Sequence, residues 1–177
     1  MAPPVILKIT REEVSIMEKK ECILSLLVNN RPDVLARVAG ILGGRGYNIE
    51  TLCVDATIDP AVSKIILTTI ADKSTLTKIE KQLIKLIDVN SVTEITQGES
   101  VMREMMLVRM RLTEKNKADI ALIIDTFRGR VVTMNGDNCV LEITGLKDDI
   151  ERAIESLKPL GIDDMARTGV VALERRK

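Results

Sequence analysis

From Cys22 onwards, short aliphatic runs of period two alternate with longer segments whose apolar residues recur every three or four positions, the periods of strands and helices. Cys22 to Val28 predicts a strand. Pro32 to Leu42 predicts a helix with Val34, Leu35, Val38, Ile41 and Leu42 on one face. Asn48 to Thr57 and Ser63 to Ala71 predict two further strands. Thr75 to Ile87 predicts a second helix that turns Leu76, Ile79, Leu83, Leu86 and Ile87 inward, and Val89 to Thr96 a closing strand. The order is βαββαβ, the split arrangement of ferredoxin-like folds.

Gln97-Gly98-Glu99-Ser100 is short, polar and carries a breaker glycine, so it reads as a linker. The same order of elements then begins again. A strand at Arg103 to Leu112 precedes a helix carrying Ile120, Ile123, Ile124 and Phe127. Strands at Arg130 to Met134 and Cys139 to Thr144 flank Asn135-Gly136, a strong hairpin signal. A last helix turns Ile150, Ile154 and Leu157 inward and ends near Pro159, before a final strand from Ile162 to Glu174 that Gly169 interrupts. The pattern predicts an α/β (α+β) chain of two tandem ferredoxin-like domains: an extension at 1–20 with a short helix around Arg11 to Lys19, a first domain at 21–97 and a second at 98–177. In each, two helices cover one sheet face only. The other face, to which Leu24, Leu26, Ile65, Ile66 and Leu67 of the central strands are assigned, is then aliphatic and calls for another subunit or the neighbouring domain.

The most informative stretch is Asn29-Asn30-Arg31-Pro32-Asp33-Val34-Leu35-Ala36-Arg37-Val38, followed by Gly43-Gly44-Arg45-Gly46-Tyr47-Asn48-Ile49-Glu50. Pro32 stands where a helix would begin, since its fixed φ suits the first turn and its missing N–H would be unpaired there. The free N–H groups after it, with the helix dipole, suit an amino-acid carboxylate.

This stretch resembles the ACT domain, an amino-acid-binding regulatory module, and more narrowly the small regulatory subunits of acetohydroxyacid (acetolactate) synthase. Gln82 to Val89, Arg103 to Val108, Phe127-Arg128-Gly129 and Ala166 to Ala172 carry the same resemblance, which covers nearly everything after Glu21. It implies a non-catalytic subunit that binds and activates the catalytic (large) subunit and conveys feedback from a branched-chain amino acid, valine foremost, in valine, leucine and isoleucine biosynthesis. It also implies a homodimer through ACT domains. Thiamine diphosphate, Mg2+ and FAD would belong to the catalytic partner, and no cofactor to this chain. The alternative is a free-standing ACT sensor acting on another enzyme or on transcription.

Carried over residue by residue, the resemblance places the effector site at the turn of Asn30, Pro32, Asp33, Val34 and Leu35, with Asn48 and the apolar neighbours Ile49 and Leu52. Tyr47 reads as packing, and Arg37 as a solvated charge. Asp33 departs from the pattern, which has glycine after Pro32. In the first helical turn its charge would favour the dipole, yet it would repel an effector carboxylate. A residual ~1.4 kcal/mol of that repulsion is a tenfold loss of affinity.

Composition removes other classes. Hydrophobic residues make up 45% and charged residues 29% of 177, an ordinary globular balance. The 26 basic and 26 acidic residues cancel, so no net charge draws the chain to nucleic acid or an anionic membrane. Histidine is absent, and with it the commonest general base and metal ligand. Cys22, Cys53 and Cys139 form no CxxC pair and read as core residues in a reducing compartment. The only aromatics, Tyr47 and Phe127, lie off the strand centres, against base stacking on an RNA-recognition sheet. No apolar run approaches the roughly 20 residues that span a bilayer, and a cytoplasmic location is expected.

Overall fold

In the computed structural model, which describes residues 18–96 and 98–175, the elements follow in the order β1 (Lys20–Asn29), α1 (Val34–Gly43), β2 (Thr51–Ala56), β3 (Val62–Ala71), α2 (Lys73–Leu83) and β4 (Val89–Ile95). They continue with β5 (Ser100–Arg111), α3 (Lys117–Thr126), β6 (Arg130–Asn135), β7 (Asn138–Gly145), α4 (Lys147–Leu157), a 3-10 turn (Lys158–Leu160), β8 (Ile162–Arg167) and β9 (Val171–Glu174). The first sheet has the strand order β2-β3-β1-β4, and the second repeats it as β6-β7-β5-β8, with β9 added to β5. Both are the predicted ferredoxin-like arrangement. By contact the chain forms two compact units, one reaching Glu94 and one from Ile95, with Thr51–Val54 grouped in the second. The helix expected from Arg11 lies, as far as Met17, outside the described residues, and Glu18 and Lys19 belong to no element.

In the first sheet β1 pairs antiparallel with β3, setting Leu24 against Leu67 and Leu26 against Ile65. Opposed residues of a ladder share a face. These four, with Cys22 and Val28, form the floor of a core that Val34, Val38 and Leu42 of α1 and Leu76, Ile79 and Leu83 of α2 close. They therefore lie on the helix-covered face and not, as expected, on the face left for another subunit; Ile66, one residue out of step with Ile65 and Leu67, points the other way. Burial raises the thiol pKa of Cys22 above its ordinary value, as it does for Cys139 in the second core, so both remain protonated packing groups. Cys53 is half-buried.

Two apolar positions depart from the helical stripe. Leu35 is 41% exposed on α1, beside the buried Val34. The second helix stops at Leu83, four residues earlier than its periodicity predicts, and Ile87 is left 88% exposed in the turn before β4. Its N-terminus is better defined. Asp72 caps it by accepting from the Thr75 N–H at 2.8 Å and the Thr75 hydroxyl at 3.0 Å.

In the second domain Met106, Val108 and Met110 of β5 join Cys139, Leu141 and Ile143 of β7 and Ile120, Ile150, Ala153 and Leu157 of the helices. Met105 and Met106 face opposite ways, as a strand requires; Met106 is fully buried and Met105 half-buried. β5 begins at Ser100, three residues before the sequence predicts, because Ser100–Arg103 pair with Val171–Glu174 of β9. The interruption between β8 and β9 is bridged by Thr168, whose N–H donates to Met105 O at 2.9 Å and whose hydroxyl accepts from Met105 N at 3.0 Å. The β6–β7 hairpin turns over 135–138, where the sequence predicts it. Asn135 pairs with Asn138, and Gly136, at φ 63°, is the first central residue, as a type II′ turn requires.

The Thr75 N–H, followed by side-chain bonds from Ser74 and Thr75, holds the Asp72 carboxylate at a pKa of about 2, below its ordinary 3.8. A depressed carboxylate contributes stability that is full above its unfolded pKa and fades as pH falls toward its folded one. The stability advantage of the wild type over Asp72→Asn therefore persists at neutral pH and disappears between about pH 4 and 2, measured by urea denaturation across that range.

Candidate functional site

The turn between β1 and α1 is held from three sides. The Asn30 N–H donates to Ala61 O at 2.7 Å and the Asn30 side-chain amide to Pro60 O at 2.9 Å, tying the turn to the β2–β3 hairpin. The Arg31 N–H donates back to Asn29 O at 2.9 Å. The Asn30 amide nitrogen thus serves the fold, and its carbonyl oxygen is the group offered outward.

Pro32 is not the first helical residue. It precedes Asp33, which occupies the N-cap with φ 68° and ψ −10°, in the left-handed region, so the helix can start only at Val34. Aspartate tolerates this conformation better than most residues, but glycine adopts it without steric cost. The backbone therefore supplies a reason for the glycine that the resemblance places here. The expected dipole benefit of Asp33 is also revised. It stands before the first turn, and its carboxylate makes no capping bond. Arg37 N–H to Asp33 O, 2.9 Å, is the first helical bond, and the N–H groups of Val34, Leu35 and Ala36 open α1 without an intrahelical partner or side-chain cap.

Arg37, half exposed, is nevertheless paired. Its guanidinium lies 2.6 Å from Asp88, whose side chain is 9% exposed at the entry to β4. Asn29 donates its side-chain amide to the other Asp88 oxygen at 3.4 Å, and Asn90 reaches Asn29 Oδ1 at 3.4 Å. Sequence reading missed this cluster. Asp88 follows the exposed Ile87 in a segment that reads as helix, and only the register of β4 beside β1 brings it under α1.

The second group of predicted residues follows the other end of α1. Gly46 takes φ 74°, and the Tyr47 N–H closes the helix by donating to Leu42 O at 3.0 Å. Tyr47 and Ile49 are half-buried against the first core, so Tyr47 packs as expected. Asn48 is exposed, donates to Glu50 Oε1 at 2.8 Å, and accepts the Thr69 hydroxyl on its backbone oxygen at 2.7 Å. Leu52 is 37% exposed on β2.

These two groups do not meet within one chain. Asn30 is fastened beside Ala61 and Asn48 beside Thr69, at opposite ends of β3. Eight residues of strand span roughly 26 Å at ~3.3 Å each. The ten-residue helix between them is itself ~15 Å long. Pro32, Asp33, Val34 and Leu35 belong with Asn30; Ile49 belongs with Asn48, and Val34 is buried under the turn.

A family model described as "AHAS small subunit-like ACT domain" matches residues 24–91, and one described as "Small subunit of acetolactate synthase" matches residues 103–176. The chain belongs to the acetolactate synthase small-subunit family. An acetolactate synthase small subunit of Aquifex aeolicus is 37% identical over 96% of this chain and 89% of its own length. The isozyme 3 small subunit of Escherichia coli is 36% identical over 86% of this chain and 94% of its own length. The crystal structure of the Thermotoga maritima small subunit superposes with a TM-score of 0.83 at 33% identity, covering 89% of this chain and 99% of that one.

Two arginines of the second domain have defined partners. Arg167 donates through Nε to Glu104 Oε2 at 2.7 Å, and the Glu104 side chain is only 3% exposed. Arg130 grips Glu142 through two parallel bonds of 3.0 Å. Among the described residues no group of three or more Cys, Asp or Glu converges as metal ligands, and no helix is long and apolar enough to cross a membrane.

Removing Arg37 leaves the Asp88 carboxylate with Asn29 as its one remaining side-chain donor. Because the arginine is half exposed, solvent screens the pair, and Arg37→Met is expected to cost about 1 kcal/mol in urea denaturation. Asp88→Asn combined with Arg37→Met recovers part of that loss, since no unpaired charge remains.

Proposed function

We propose that this chain is the non-catalytic regulatory subunit that binds and activates the catalytic subunit of acetolactate synthase and conveys feedback from a branched-chain amino acid, valine first. The observation that carries this reading is the split of the candidate site to opposite ends of α1 and β3. A ligand contacted by both Asn30 and Asn48 must bind between two copies, the first turn of one beside the Tyr47–Glu50 segment of the other. The effector carboxylate docks on the N–H groups of Val34 and Leu35, its amino group meets the Asn30 or Asn48 amide oxygen, and Leu35, Ile49 and Leu52 receive the aliphatic side chain. A homodimer through ACT domains follows. Thiamine diphosphate, Mg2+ and FAD act on the catalytic chain.

Control is by linkage. An effector held between two ACT domains favours one arrangement of the dimer, and the catalytic partner responds differently to each arrangement. The direct test is an acetolactate synthase assay of the catalytic subunit alone, with this chain, and with this chain plus valine, isoleucine or leucine. Higher activity on adding the chain and lower activity on adding valine support the reading. Unchanged activity in both steps refutes it.

Asp33 sets the sensitivity. Its charge lies at the carboxylate end of the site, and its backbone holds a conformation that favours glycine. Titration calorimetry should show weak valine binding to the wild type and binding at least tenfold tighter, ~1.4 kcal/mol, for Asp33→Gly. Tight wild-type binding that the substitution does not improve contradicts this role.

A further inference from the structure

The second domain carries a cleft that the effector reading does not use. It has a volume of about 360 Å3 and lies where the end of α3, the end of β7 and the first turn of α4 meet. Phe127 and Leu146 supply apolar wall, and Arg103, Arg128 and Arg152 line it with guanidinium groups. One carboxylate, Asp149, shares the space. Arg152 donates to it and holds its pKa below the ordinary value, so one positive charge is cancelled. Among the described residues Arg103 hydrogen-bonds the neighbouring Met102 carbonyl, at 2.7 Å, and its charge also acts on Asp149, while Arg128 has no side-chain partner.

Arg128 also holds an unusual backbone. It is the second residue after Thr126, the last of α3, at φ 52°, where its N–H donates to Asp125 O at 3.2 Å and the Gly129 N–H to Ile124 O at 2.7 Å. Glycine is the usual residue at such a left-handed helix end. Here the glycine is one place later, and for a different reason: a Cβ on Gly129 would meet Ile143 Cγ1 at 2.8 Å and Glu142 O at 2.9 Å. A long cationic side chain is thus kept at a position whose backbone prefers none. Such outliers gather at ligand sites.

We propose that this cleft binds a small, multiply charged oxyanion of the phosphate type, gripped by Arg128 and Arg103 and bounded by Arg152. Planar guanidinium forks match phosphate oxygens two at a time. The volume is that of a small-molecule site. The site is independent of the valine reading, because it lies wholly in the second domain and its test needs neither amino acid nor catalytic subunit.

The test is calorimetric titration of the full chain with sodium pyrophosphate and with inorganic phosphate, against sodium chloride at matched ionic strength. Saturable binding at one site per chain is expected, tighter for pyrophosphate, and at least tenfold weaker in Arg128→Gly. That variant relieves the left-handed backbone, so its Tm equals or exceeds that of the wild type and lost binding is not lost folding. Arg111→Gln, which removes an exposed arginine paired with Asp137 elsewhere in the domain, leaves binding unchanged. Heats no larger than those of chloride, binding that survives Arg128→Gly, or equal loss in Arg111→Gln each overturn the proposal.

Discussion

The first domain depends on the β1–β3 ladder, ten antiparallel pairs running from Lys20 opposite Ala71 to Asn29 opposite Val62. Its register does two things at once. Leu24, Leu26, Ile65 and Leu67 are placed on one face, where α1 and α2 bury them. A slip of one residue would turn that set to the other side. The same register fixes the distance between the two ends of α1, because each end is fastened to a different end of β3 through Asn30 and Asn48. The hydrophobic core and the geometry of the candidate site are therefore consequences of one pairing, and neither can shift without the other.

Against that rigid frame, the left-handed residues mark where local preference has been overruled. Among the described residues, Asp33 and Arg128 are the non-glycine positions with positive φ. Each stands at one end of the first helix of its domain, at a junction where the chain must reverse direction within two or three residues. Arg128 lines the cleft of the second domain with a positive charge, and Asp33 sets a negative one at the exposed turn before α1. A conformational cost of order 1 kcal/mol at each is tolerable beside the burial of the surrounding aliphatic residues. Residues kept at such cost are better explained by what their side chains do than by the turns they form.

Much of this was legible in the alternation of apolar residues. The period of two in Cys22 to Val28 and in Arg103 to Leu112 identifies the strands, but alternation alone does not say which face the helices cover, and Leu24, Leu26, Ile65 and Leu67, expected on the outer face, are the ones α1 and α2 bury. The helices were less faithful. Ile87 continues the stripe of α2 by spacing, yet the backbone leaves the helix at Leu83 so that the chain can reach β4, and a connection requirement outweighs the periodicity. Asp88 and Glu104 were invisible for another reason. Their buried carboxylates are tolerable only with Arg37 and Arg167 beside them, and pairings across 51 and 63 residues leave no trace in local spacing. The candidate site residues come from the resemblance, and their division between two ends of a helix appears only in three dimensions.

That division has a thermodynamic consequence for any effector that needs both ends. A ligand bound within one chain would be indifferent to association, whereas one shared by two copies binds only the paired state and shifts the equilibrium toward it. The gain grows as RT ln(1 + [L]/Kd), reaching about 2.7 kcal/mol when free ligand is a hundredfold above its dissociation constant. Weakening the site by tenfold, as the Asp33 charge is argued to do, removes about half of that gain at the same ligand concentration. The effector concentration at which control sets in is then governed by one side chain at a turn. In the homodimer proposed above, the strength of the unliganded pair would instead be governed by the apolar sheet surface. Sensitivity and assembly can accordingly be altered separately in this fold, although a single strand register creates both surfaces.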